Sequence, residues 1–365
     1  MNQQGQELVR LHIGDTYLPP AYPLPLQDEF MSAQPDFNRY CNTFGVDALR
    51  MAVSEKVNED NNLKATPENV LITSGATNAL SAAMMAVVNP GEEVILLTPC
   101  WPFVRGMVTL AGGAVQDVPF YTELQKNPEM DIEEYLTGKL SSKTVAIYLN
   151  SPNNPSGYVL QESHLKAIAE FCYKHRLWLL SDEAYDGMVY QPNRHISIGS
   201  FPNVSAQVLS VFTFSKSMMF AGIRLGYLVA DKPVVETVNK CMVHQIYSPP
   251  TFTQQMMVEP LRQRKKHQAK LIRHYQELRD LVLQTLPMEI PEPMGTYFCF
   301  FPVSAFLKGR TTEDIIRAGI LNGVSVAPGG DFGPQYQEYL RLCFAGETPL
   351  RLERGLEKLK QVLLN

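Results

Sequence analysis

The chain has 365 residues, 45% of them hydrophobic, and a formal net charge of −5 from 32 Lys+Arg against 37 Asp+Glu. That supplies a large core and exceeds the usual size of one domain, so two domains are expected. No basic stripe of the kind that binds nucleic acid is present, and no uncharged apolar run is long enough to span a bilayer.

The N-terminus, Met-Asn-Gln-Gln-Gly-Gln-Glu, has no basic n-region and no apolar h-region. A signal peptide is therefore not expected, and a cytoplasmic location is. Leu18-Pro-Pro-Ala-Tyr-Pro-Leu-Pro25 reads as a rigid extended loop. From residue 77 onward strand and helix patterns alternate. A helix is predicted over 77–88, stopped by Asn89-Pro90-Gly91, then strands at 94–97 and 144–149. A helix at 165–175 is followed by strands at 178–180 and 208–214. Buried strands alternating with helices predict an α/β fold with a mostly parallel, doubly wound sheet. Ligands bind such sheets at the carboxyl ends of the strands.

The last third changes character. Residues 252–286 are charge-rich and helical, with an interruption expected near Pro260. The basic run from Arg262 to Lys270 reads as a solvated helix face. Strands are predicted at 297–302, 324–327 and 339–344, with helices at 312–321 and 351–363. These describe a smaller α/β unit. The six cysteines, at 41, 100, 172, 241, 299 and 343, show no zinc spacing and read as reduced thiols.

The strand 208–214 delivers one lysine, Lys216, flanked by hydroxyls at Thr213, Ser215 and Ser217 and followed by Arg224 between two glycines. A lysine at the end of an apolar strand is desolvated, which favours its neutral, nucleophilic form. Hydroxyls and an arginine suit a phosphate monoester. An imine-forming lysine beside a phosphate site suggests pyridoxal phosphate (PLP). A strand ending in a solvated lysine is the alternative for this segment alone.

Three further segments bear on that choice. Thr73-Ser-Gly-Ala-Thr-Asn-Ala-Leu80 precedes a helix, Asn150-Ser-Pro-Asn-Asn-Pro-Ser-Gly157 follows a strand, and Leu179-Leu-Ser-Asp-Glu-Ala-Tyr185 ends another. With the lysine segment, in this order, they resemble the class I/II aminotransferases, the aspartate aminotransferase-like group of fold-type-I PLP enzymes. The resemblance extends from Gly14 to Arg341. It implies a large PLP-binding domain over 41–270, a small C-terminal domain over 271–365, and an N-terminal segment, 1–40, packing with the small domain.

The resemblance also implies roles. Lys216 would bind PLP as an imine and then act as general acid and base. Asp182 would hold the proton on the pyridine nitrogen, against the alternative of a helix-capping aspartate. Asn154 and Tyr185 would donate to the cofactor's phenolate oxygen. Asn153 is the less suited neighbour, and the motif is also good turn chemistry. Gly75, Ala76 and Thr77 open a helix whose N–H groups suit a phosphate, joined by Thr213 and Arg224. Trp101, in Thr98-Pro-Cys-Trp-Pro-Phe103, would stack on the ring; core packing is its plainer reading. Arg341 would pair with the substrate carboxylate, with an outward edge-strand arginine as the alternative. Gly14 matches a glycine loop that closes over substrate. Tyr40 would reach across a homodimer interface to the neighbour's phosphate, although a tyrosine before a turn is usually packing.

Two positions depart from the family pattern. Thr213 stands where serine or glycine is usual. Met219 replaces a small residue and is expected to narrow the space near the lysine. Glu183 is expected to point away.

The implied activity is transfer of an amino group between an L-amino acid and a 2-oxo acid. A PLP lyase or synthase, C–S lyase-like or cyclopropane-forming, uses the same residues and stays open. A catalytically dead regulator is disfavoured by retention of Lys216, Asp182 and both arginines. An acidic substrate needs a second arginine, for which Arg39, Arg50 and Arg105 are available. The apolar loop 17–22 favours a neutral or aromatic substrate.

Overall fold

A computed structural model of the chain describes residues 7–20, 22, 24 and 36–365. The strands are β1 (Val9–Arg10), β2 (Val70–Thr73), β3 (Glu93–Thr98), β4 (Ala114–Pro119), β5 (Thr144–Asn150), β6 (Trp178–Asp182), β7 (Val208–Thr213) and β8 (Gly226–Val229), then β9 (Phe298–Pro302), β10 (Val324–Ser325), β11 (Ala327–Pro328) and β12 (Tyr339–Cys343). A seven-stranded sheet takes the order β2-β8-β7-β6-β5-β3-β4. Strands β3 to β7 pair in parallel. Only β8 is reversed, antiparallel to β2 on one side and β7 on the other.

The central strands are apolar on both faces because helices cover both. Leu96, Tyr148, Leu180 and Leu209 point to one side, against Leu80 and Met84 of the helix Gly75–Val87 and Val238 of Lys232–Ile246. Ile95, Ile147, Leu149 and Leu179 point to the other, against Leu165 and Ile168 of the helix Glu162–His175. Alternation within each strand thus serves two cores at once.

The C-terminal third forms a three-stranded antiparallel sheet, β11-β12-β9, and a two-stranded parallel one, β1-β10. The helices Lys265–Thr285, Thr312–Leu321 and Pro349–Leu364 accompany them. Val9 and Leu11 pack with Leu352, Leu356 and Leu359 in one core. Gly355 permits this close approach, since a Cβ there would lie 2.7 Å from Val9 Cγ1. The helix Lys265–Thr285 runs unbroken through residue 270.

Two expectations change, and the interruption expected near Pro260 is present as two breaks. Pro260 lies inside a short helix, Val258–Arg262, and the breaks fall on either side of it. The missing N–H of Pro260 costs nothing in the first turn, where N–H groups have no intrahelical partner. The 324–327 segment divides, with β10 joining β1 and β11 joining β12. The basic run is only partly solvated, because Arg264 is largely covered and paired with Glu59 and Asp60. Among the described residues no helix is long and apolar enough to cross a membrane, and the six cysteines are all free.

Candidate active site

Because every large-sheet strand but β8 runs the same way, the ends of β2, β3, β5, β6 and β7 meet along one edge. A cavity of about 490 Å³ opens there. It is lined by Gly14, Ala76, Thr77, Trp101, Asn154, Asp182, Tyr185, Thr213, Lys216, Arg224 and Arg341, gathered from across the chain.

Gly75 shapes one wall without lining it. Its φ is +76°, and a Cβ there would sit 2.7 Å from Arg224 Nη2. The helix it begins has no side-chain cap at Ser74, so its first N–H groups and dipole are open to an anion. Arg224, itself left-handed at φ 58°, donates through Nη1 to the Ala221 carbonyl at 2.9 Å. The Thr213 hydroxyl lies 2.9 Å from that of Ser215 and accepts from the Ser215 N–H at 3.1 Å.

Lys216 Nζ donates to the Gly14 carbonyl at 2.9 Å. That carbonyl also accepts from the Tyr297 hydroxyl at 3.1 Å. Burial lowers the lysine's pKa; Asp15 and Cys343 oppose this, and Arg341 adds to it. Asp182 is buried at the end of β6. Its carboxylate accepts from the Tyr148 hydroxyl at 2.7 Å and from the Ala184 N–H at 3.2 Å. Burial nevertheless raises its pKa to about 6, with Glu183 pushing the same way. Among the described residues Asp182 has no ion-pair partner, so a cation placed beside it meets an unmatched charge.

Arg341 is buried between two rings, its guanidinium 4.5 Å from the Phe298 centroid and 4.7 Å from that of Phe332. It donates to Asn154 Oδ1 at 3.1 Å and to the His12 carbonyl at 2.6 Å. Its Nε is buried with no partner among the described residues, leaving a free donor for a carboxylate. The edge-strand alternative for Arg341 therefore falls. Asn154 is anchored by its N–H, which donates to Asn150 Oδ1 at 2.6 Å. Asn153 instead bonds the Pro99 carbonyl. The Tyr185 ring is buried edge-on to Tyr297 and Phe298, with centroids 5.5 and 5.9 Å away. Trp101 faces the cavity, tilted against Phe103, so it is not simply core.

Two expectations sit elsewhere. Tyr40 lies outside the cavity, 86% exposed, with its ring edge-on to Tyr247 at 5.1 Å. Met219 does not narrow the cavity. Its backbone is left-handed, and its side chain lies beside Leu18 and His267 in a separate groove. Glu183 does point away, to His195 at 2.8 Å and to Ser181 and Ser197.

Sequence reasoning did not single out Tyr148, Phe298, Phe332, His12 or Asp331. Tyr148 precedes Asn150 by two, on the strand that pairs with β6. Alternation would have placed it beside Asp182 once that pairing was known. Among the described residues no His/Cys/Asp/Glu group could hold a metal ion.

Comparison with known proteins agrees with this geometry. The profile of the family "Aminotransferase class I and II" matches residues 11–359. An aspartate aminotransferase of Pyrococcus abyssi is 31% identical, over 89% of this chain and 84% of that protein. The aromatic-amino-acid aminotransferase 2 of Thermococcus litoralis is likewise 31% identical, with the same coverage. A crystal structure of a Thermus thermophilus aspartate aminotransferase mutant superposes with a TM-score of 0.87 at 28% identity, covering 99% of this chain and 93% of that one. The lyase and synthase alternative is not favoured by these relatives.

Proposed function

The chain belongs to the class I and II aminotransferases, it is PLP-dependent, and we propose that the residues gathered at the sheet edge are its working parts. It moves an amino group between an amino acid and a 2-oxo acid. PLP supplies an aldehyde that captures the amino group and a protonated ring that accepts electron density.

The cavity suits that cofactor because its unmatched groups are the ones PLP satisfies. The buried Asp182, without an ion pair among the described residues, would hold a proton on the ring nitrogen. The open helix start at Gly75, Ala76 and Thr77, with Arg224 and Thr213, would seat the phosphate. Trp101 would cover the ring, and Asn154 and Tyr185 would donate to the phenolate oxygen. Lys216, with its pKa lowered by burial, takes the proton from the substrate Cα and returns it later in the turnover. Arg341 seats the α-carboxylate, with Gly14 closing over it. The observation that carries this reading is a desolvated lysine in the same cavity as a buried carboxylate that has no ion pair among the described residues.

Tyr40 and its neighbour Tyr247 form an exposed aromatic pair, which supports a homodimer in which Tyr40 reaches the partner's phosphate seat. We also infer two lobes, 41–270 and 271–365, with Val9 and Leu11 on the second, whereas Tyr22 and Leu24 pack with the first. The shared core of Val9, Leu11 and the C-terminal helix supports that division.

The test is a single half-reaction. Amino acid added to the holoenzyme without an acceptor should yield at most one 2-oxo acid per site and convert the cofactor's absorbance to its amine form. Ammonia released in many turnovers without an acceptor would refute transamination.

A further inference from the structure

All but one of the charged groups facing the cavity make a hydrogen bond within the chain. Lys216 bonds the Gly14 carbonyl, and Asp182 is held by Tyr148 and Ala184. Arg224 lies against the helix start at Gly75. Arg341 is held by Asn154 and the His12 carbonyl. His12 Nδ1 is 2.7 Å from the Ser325 hydroxyl. The exception is Asp331, in the turn Gly329–Phe332. It lines the cavity and has no hydrogen bond or ion pair among the described residues. The next residue is Phe332, whose ring covers Arg341. The Asp331 carboxylate also acts electrostatically on the Arg341 guanidinium, favouring its charged form.

None of the three arginines available for an acidic substrate reaches it. Arg105 is spent in a bidentate pair with Asp117, at 2.7 and 2.6 Å. Arg50 is turned to the Val70 and Pro67 carbonyls. Arg39 faces Asp36 on the surface. A substrate seated on Arg341 therefore meets a lone negative charge, which repels a second carboxylate and attracts an ammonium or guanidinium. Phe103 lines the same cavity, and an aromatic face also favours a cation.

We propose that Asp331 selects an amino-acid substrate whose side chain carries a positive charge, an amine or a guanidine, and discriminates against a dicarboxylic one. This rests on the aminotransferase reading and names the substrate class of that same site.

The test compares lysine, ornithine and arginine with norleucine and glutamate as amino donors to the holoenzyme, using one fixed 2-oxo acid acceptor. The best basic donor should exceed norleucine in kcat/KM by about tenfold or more and glutamate by a larger factor. Asp331→Asn should lower the basic-to-norleucine ratio about tenfold, and Asp331→Lys should invert preference toward glutamate. Calorimetric binding of 5-aminopentanoate against pentanoate to the holoenzyme should show the same ratio and the same loss. A native preference for glutamate, or ratios unmoved by both variants, overturns the proposal. If no amino acid is converted to its 2-oxo acid, the reaction assignment fails, while the two binding ratios still decide the role of Asp331.

Discussion

Replacing Asp182 by asparagine should make the cofactor-free protein more stable at neutral pH. Burial lifts this carboxyl from its ordinary 3.8 to about 6, so folding disfavours the ionised form. Between those values the native state binds more protons than the unfolded chain, and stability falls as pH rises. Once ionisation is complete the loss is about 3 kcal/mol, of which about 2 kcal/mol accrues between pH 4.5 and 7.5. Asparagine carries no such charge, and groups common to both proteins cancel in the difference. Denaturant unfolding of the two cofactor-stripped proteins at both pH values measures it directly. The stability gap should move by about 2 kcal/mol in favour of Asp182→Asn as pH rises. PLP should then stabilise the native sequence more than the variant, because only the carboxylate offers charge to a protonated ring. A gap that stays constant across that range would mean that Asp182 is not held in a desolvated seat.

Lys216→Ala should abolish the borohydride-reducible link to PLP and turnover while the fold persists; reduction followed by peptide mapping checks this. Arg341→Ala should raise KM for the amino acid by about 30-fold or more, as truncating one partner of a buried charge pair costs about 2–5 kcal/mol, with much less effect on PLP affinity. Gly75→Ala forces a side chain into a left-handed backbone against Arg224. PLP affinity should fall about tenfold, measured by fluorescence titration. Sedimentation across a dilution series should show PLP tightening a dimer, and Tyr40→Phe should weaken cofactor retention; a fully active monomer would remove that role.

Much of the large sheet was legible because its strands carry unbroken apolar runs that end in short polar motifs. β5, β6 and β7 were located this way, and each motif marked a carboxyl end. The strands β2 and β8 were not. They are four residues each, and their pairing joins segments far apart in sequence. Lys216, Asp182 and Arg341 were legible because each interrupts an apolar run with a charge. Tyr148 and Phe298 were not, since an aromatic in a strand looks like core until its neighbour across the sheet is known. Asp331 was hidden for the opposite reason: an aspartate among glycines reads as a turn.

The reversed strand β8 bears on how the protein acquires its cofactor. It wedges between β2 and β7, and the fit is tight: a Cβ on Gly226 would lie 2.7 Å from the Gly75 carbonyl carbon and 2.8 Å from the Ala76 nitrogen. The helix start proposed to seat the phosphate thus lies hard against a segment more than a hundred residues downstream. Such distant pairings are slow to form, so the seat matures only when the sheet edge closes. A substitution on β8 that adds bulk at Gly226 should therefore disturb the helix start at Gly75 and Ala76, although β8 itself does not line the cavity.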